Sequence, residues 1–274
     1  MGKIVAVANQ KGGVGKTTTA VNLSASLGAA EKTVLLIDID AQANASSGLG
    51  VRVDDEEKTI YEVLIGDIHA REAVRKVELL DVIPSHPRLT GAEIELVSQI
   101  AREMKLKNAI VEIREDYDFI IIDTPPSLGL ITINTLTAAD SILIPIQCEY
   151  YALEGLSQLL STIRMVQKHL NPDLRIEGVL LTMFDRRLNL SSQVADEAIS
   201  YFGEKVYDTI IPRNVRLSEC PSFGRPVLLY DSQSAGSRSY LKLAAEFLEK
   251  QGMVAERPFD KREGLEIHAM RGGE

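Results

Sequence analysis

The sequence predicts an α/β protein: a doubly wound, mostly parallel sheet with helices on both faces. Three observations lead there. Short runs rich in Val, Ile and Leu recur along the 274 residues, most of them continuously apolar, as strands buried on both faces are. Segments of helical spacing lie between them, and such alternation builds parallel sheets through helical crossovers. A stretch rich in glycine and lysine, NQKGGVGKTTT at 9–19, joins the first apolar run to the first helix.

In order, KIVAVAN (3–9) reads as the first strand and 16–30 as the helix after it. TVLLIDID (33–40) is the second strand and leaves the sheet with two carboxylates, Asp38 and Asp40. DDEEK (54–58) reads as a solvated loop, LLDVIPS (79–85) as a strand, and 89–115 as a helical stretch. YDFIIID (117–123), SILIPIQ (141–147), IEGVLLTMF (176–184) and VYDTIIP (206–212) complete the strand set. Helical spacing returns at 153–170, 190–202 and 236–251. No low-complexity linker or internal repeat divides the chain, so 1–252 is expected to be one domain. The polar segment from 253 to 274 is expected to be a loosely held tail.

Composition narrows the function classes. A net charge of −9 argues against a protein coated in positive charge, while leaving room for a local basic patch. Cys148 and Cys220 are too few for a disulfide framework, and the four histidines are scattered, so no zinc site is expected. No run approaches the roughly 18 apolar residues of a membrane span, and no signal peptide opens the chain. A cytoplasmic protein without a membrane partner is the expectation.

The glycine-rich stretch departs from the ordinary phosphate-loop pattern G-x-x-x-x-G-K-[ST]. Counting back from Lys16, the first glycine should fall at position 10, which is Gln10. The loop instead has an early pair, Gly12 and Gly13, and a second lysine, Lys11. Backbone N–H groups of Gly12, Gly13, Val14, Gly15, Lys16, Thr17 and Thr18 can converge on phosphate oxygens at the positive end of the following helix. Lys16 is placed to reach the β- and γ-phosphates, and the Thr17 hydroxyl to hold Mg²⁺. A dinucleotide loop would need a third glycine where Thr18 stands. The run FIIID (119–123) ends a buried strand on Asp123, a Walker B arrangement able to hold Mg²⁺ through its water shell.

These motifs, with DIDAQANASSGLG (38–50), FIIIDTPPSLG (119–129), PIQCEYYALEGL (145–156) and IPRNVRLSE (211–219), resemble the ParA/MinD class of deviant Walker A ATPases and its chromosomal ParA (Soj) branch. The resemblance runs from residue 1 to about 250 and implies a P-loop NTPase fold, with ATP and Mg²⁺ bound and slowly turned over. It implies that Lys11 crosses an ATP-sandwiched homodimer to the partner's nucleotide. Asp40 orients the attacking water, and joins Thr17 and Asp123 around Mg²⁺. Met183 in TMFD (182–185) stands where a guanine reader has lysine; the resemblance implies adenine, with Pro212 and Asn214 near the base. It further implies non-specific double-stranded DNA binding through Arg187 and Arg216, release by a ParB-like centromere-binding protein, and a nucleoid-associated life. Composition around those arginines reads by itself as solvated surface. An ATPase that positions a protein cargo without DNA, as MinD-like and orphan relatives do, is the alternative.

Overall fold

A computed structural model of the chain describes residues 1–149 and 156–253. The first positions of the predicted helix at 153–170, and the predicted tail from 254 onward, lie outside the described residues. The first half forms β1 (Lys3–Val7), α1 (Lys16–Ala29), β2 (Val34–Asp38), α2 (Asn44–Gly48), α3 (Ile60–Ile65), α4 (Ala70–Ala73), β3 (Arg75–Lys76) and β4 (Asp81–Ile83). Next come α5 (Leu89–Val97), α6 (Lys105–Ile110), β5 (Phe119–Asp123), α7 (Leu130–Ala138) and β6 (Ser141–Gln147). The chain continues through α8 (Leu156–His169), β7 (Arg175–Thr182), α9 (Asn189–Phe202), α10 (Val215–Glu219), α11 (Val227–Tyr230) and α12 (Ala235–Lys250).

The seven strands form one sheet in the order β3-β4-β2-β5-β1-β6-β7. Among the described residues the pairings are parallel except that between β3 and β4. Alternate side chains of each strand feed two cores, because successive Cβ atoms point to opposite faces. From β1 and β5, Ile4, Ala6, Ile120 and Ile122 pack on one side with Ile60, Leu89 and Leu159 of α3, α5 and α8. Val5, Val7, Phe119 and Ile121 pack on the other with Leu23 and Leu27 of α1 and Phe247 of α12. Each such large side chain contributes roughly 1.5–3 kcal/mol by leaving water.

The short elements α2, α3, α4, β3, α10 and α11 are not among those expected, and three longer segments also differ from expectation. Residues 206–212 are not a strand of the sheet: isolated bridges join Val206 to Val179 and Pro212 to Phe184. Between those bridges the Asp208 and Thr209 N–H groups donate instead to the Glu246 carboxylate of α12, at 2.8 and 2.9 Å. The helical pattern at 89–115 breaks where Ala101 takes a left-handed φ of 52°, and Arg102 Nη1 turns back to the Val97 carbonyl at 2.9 Å. Its apolar spacing continues across the break because α5 and α6 pack on the same core. The helix α7 gives little sequence signal, since its β-branched threonines favour strands. Thr135 and Thr137 hydroxyls donate to the carbonyls of Ile131 and Ile133, which accommodates them in a helix.

Candidate functional site

Sheet register brings the site together. Asp123, the last residue of β5, lies level with Val7 of β1 on one side and Asp38 of β2 on the other. The loop that leaves β1 therefore rises beside both carboxylates, at the carboxyl edge of the sheet where α/β proteins bind ligands. The loop reaches α1 through left-handed turns at Gly13 (φ 75°) and Gly15 (φ 86°), a conformation that a side chain would strain.

Two braces fix this loop, and neither was apparent from sequence. The buried Asn9 amide donates to the Pro145 carbonyl of β6 at 2.7 Å, while its oxygen accepts from the Lys11 N–H at 3.0 Å. The Thr182 hydroxyl at the end of β7 donates to the Val14 carbonyl at 2.8 Å, across 168 positions of sequence. Asn9 lies inside the stretch the sequence singles out, but a partner so far along the chain leaves no local signal.

The two lysines differ. Lys16 is only 6% exposed, and its ammonium donates to the Lys11 carbonyl at 3.0 Å. Burial lowers its pKa, and the nearby charges of Asp123 and Asp40 act in the opposite direction. The Lys11 side chain is half-buried and its ammonium makes no hydrogen bond or ion pair among the described residues.

The carboxylates form a graded set. Asp38 accepts from the Ser46 N–H and hydroxyl at 2.8 and 2.7 Å and from the Asp40 N–H at 3.2 Å. Burial raises its pKa to about 6 in spite of those bonds. Asp40 is 8% exposed and accepts from the Gln42 N–H at 3.0 Å. Asp123 is fully buried, and neither carboxylate oxygen meets hydrogen-bond geometry with any group among the described residues. Its pKa lies well above the carboxylate range because of burial and the neighbouring Asp38 charge; the Thr17 hydroxyl is near enough only to temper this.

A buried carboxylate with orphaned oxygens, near a threonine hydroxyl, offers the oxygen ligands a hard cation needs, while the Lys16 ammonium beside it suits a phosphate and not a metal. No group of three acidic, histidine or cysteine side chains among the described residues converges into a metal cage. That suits Mg²⁺, which keeps waters and phosphate oxygens as ligands.

Beyond Gly15 and Thr18, a cavity of about 100 Å³ is closed by Met183, Pro212, Asn214 and Tyr240. Asn214 caps α10, its side-chain oxygen accepting from the Arg216 N–H at 3.0 Å. Met183 there, and Ala43 just after Asp40, hold left-handed φ values of 51° without being glycine, so strain borders the site on two sides. Arg187 and Arg216 are exposed but engaged. Arg187 grips Asp185 through two hydrogen bonds, at 2.9 and 2.6 Å, and Arg216 pairs with Glu219 at 2.8 Å and Asp231 at 3.1 Å.

A family model described as an AAA domain matches residues 2–176. The chain is 61% identical over 248 residues to the sporulation initiation inhibitor protein Soj of Bacillus subtilis, covering 90% of this chain and 98% of that one. It is 57% identical over 252 residues to the chromosome partitioning protein ParA of Myxococcus xanthus, covering 91% and 89%. Among solved structures, a cobyrinic acid a,c-diamide synthase of Mycobacterium smegmatis, with an ATP analogue and magnesium bound, matches with a TM-score of 0.81 at 35% identity over 92% of this chain and 96% of that one.

Proposed function

The chain belongs to the ParA/MinD family of deviant Walker A ATPases, in its Soj/ParA chromosome-partitioning branch, and from that premise we propose that it is an ATP-driven DNA-partitioning switch. ATP joins two copies into a sandwich, the dimer holds DNA without reading bases, and a ParB-like, centromere-bound partner triggers hydrolysis and release. Such a protein works in the cytoplasm, on the nucleoid.

The observation that carries this reading is the contrast between the two lysines. Lys16 is turned inward on its own loop, whereas Lys11 offers an ammonium unpaired among the described residues, from a backbone pinned by Asn9. One lysine suffices for a subunit's own phosphates, so the other is available to a partner's, in the way an arginine finger acts in trans. Residues Gly12 to Thr18 cradle the phosphates with their N–H groups, and Pro212 and Asn214 border the base. Thr17, Asp40 and Asp123 hold Mg²⁺, which supplies charge neutralisation on the phosphates. Asp40 orients the attacking water.

The test is light scattering of wild type, Lys11→Ala and Asp40→Ala with ADP and with ATP-Mg²⁺. Lys11→Ala should remain monomeric with ATP, and Asp40→Ala should accumulate a dimer whose turnover falls at least tenfold. Wild-type dimerisation in the first, or wild-type turnover in the second, rejects the corresponding role.

A further inference from the structure

We propose that the groove between the β7–α9 loop and the first half of α12 receives a nucleic-acid phosphate backbone, through cations other than Arg187 and Arg216, and that one shared turn couples it to the nucleotide site. The proposal rests on the DNA-holding reading above.

The groove has a volume of about 780 Å³ and is lined by Arg186, Arg187, Arg213, Arg238 and Lys242, against one acid, Asp185. Arg187 is neutralised by that acid, and Arg213 pairs with Glu149 at 3.2 Å. The exposed side chains of Arg186, Arg238 and Lys242 make no hydrogen bond or ion pair among the described residues. Arg238 and Lys242 stand four residues apart on α12, hence on one face, where two like charges repel. They face the groove together with Arg186, and Ala235 brings the positive N-terminal end of the helix to the same wall. In a chain of net charge −9, a cluster of uncompensated cations on one groove is matched by an external polyanion.

The wall opposite α12 is the turn at 211–214. Pro212 and Arg213 line the groove on one side and the small cavity beyond Gly15 on the other, back to back. The turn hangs from the end of β7 by three backbone bonds: Ile211 N–H to Leu181 at 2.9 Å, Phe184 N–H to Ile211 at 3.1 Å, and Arg213 N–H to Phe184 at 3.0 Å. Between Leu181 and Phe184 lies Met183, in its left-handed conformation. A base seated against Pro212 and Asn214 sets the position of Arg213, and a phosphate that draws Arg213 away from Glu149 pulls on the base site. Coupling of this kind is reciprocal. Arg187, held by one acid, and Arg216, held by two, join only when those acids give way.

The experiment is fluorescence anisotropy of a random-sequence DNA duplex with ATP-Mg²⁺, from 50 to 200 mM salt (about the range over which such binding falls steeply). It compares wild type, Arg186→Ala, Arg238→Ala, Lys242→Ala, the triple variant, Arg238→Lys and Arg216→Ala, with ATP-dependent dimerisation and thermal melting as folding controls. Each groove substitution should weaken binding several-fold, the triple at least about a hundredfold, and the salt slope should fall by about 0.9 for each phosphate no longer neutralised. Arg238→Lys should restore most of the affinity, and Arg216→Ala should cost less than the triple. Duplex should also tighten binding of a fluorescent ATP analogue to wild type and not to the triple variant. If the wild-type dimer binds no DNA in any nucleotide state, the DNA reading falls and the groove with it. If wild type binds and the triple variant binds equally well, only the groove assignment is overturned. Capture of anionic lipid vesicles in place of DNA overturns it as well, and a duplex without effect on the nucleotide overturns the coupling.

Discussion

Asp123 concentrates the cost of this site in one side chain. Its carboxylate is buried without a hydrogen-bond partner among the described residues, so the ligand-free protein holds it either as a neutral acid or as a buried charge that Lys16 offsets only in part. An acid whose pKa is raised on folding contributes stability that is present at low pH and is lost as pH rises through the raised value. Stability of the ligand-free protein should therefore fall as pH climbs from the ordinary carboxylate value of 3.8 through about 6, where Asp38 titrates, and beyond. Asp123→Asn should flatten that slope and stabilise the protein at pH 8 by about 1 kcal/mol or more, while abolishing stabilisation by ATP-Mg²⁺. Denaturant melts at several pH values check it; an unchanged slope would mean the carboxylate is not strained. Asn9 acts in the opposite sense, since both ends of its amide are used. Asn9→Ala should weaken binding of an ATP analogue about tenfold by calorimetry, the equivalent of one lost buried hydrogen bond. Affinity within twofold of wild type would show that the loop holds its shape without this brace.

Segment 206–212 has the apolar composition of a strand, yet forms none, because its central N–H groups have a better acceptor. A carboxylate bonded to two backbone donors is a charge-assisted pair, stronger than the neutral ladder bonds it replaces. Glu246→Gln keeps one acceptor oxygen, and Glu246→Ala keeps none. The alanine variant should lose about 2 kcal/mol in denaturant unfolding and the glutamine variant less. A glutamine variant as stable as wild type, beside an alanine variant that loses stability, would locate the effect in packing of the side chain and not in the two bonds. The break at Ala101 follows the same logic: helical spacing says which face is buried, and says nothing of where Arg102 turns back to close α5.

At the scale of the whole molecule, the proposed function makes nucleotide, dimer and fold share one equilibrium. A ligand that binds only the folded dimer stabilises it by mass action, about 2.7 kcal/mol at a hundredfold excess over its Kd. Melting with ATP-Mg²⁺ should therefore rise with protein concentration, and melting with ADP should not. Scanning calorimetry at two concentrations measures this, and a concentration-independent Tm with ATP would separate nucleotide binding from dimerisation.

The parallel sheet, the loop that leaves β1, and Lys11, Lys16, Asp38, Asp40 and Asp123 were all legible in the sequence. Each is written locally, in a buried run, a glycine spacing or a charge at a strand end. What stayed hidden depends on distant segments meeting in space. Thr182 reaches Val14, Asn9 reaches Pro145, Glu246 withholds 206–212 from the sheet, and Arg238 and Lys242 meet Arg186 across a groove. The pairing of Arg187 with Asp185 was hidden for another reason: a count of charges along a chain does not say which are neutralised in place. Hydrophobic period and backbone freedom act over a few residues, so sequence alone determined the frame and its phosphate loop. Hydrogen bonds and ion pairs act over a few ångströms in space, so only the tertiary structure decided which groups are satisfied and which remain free to bind.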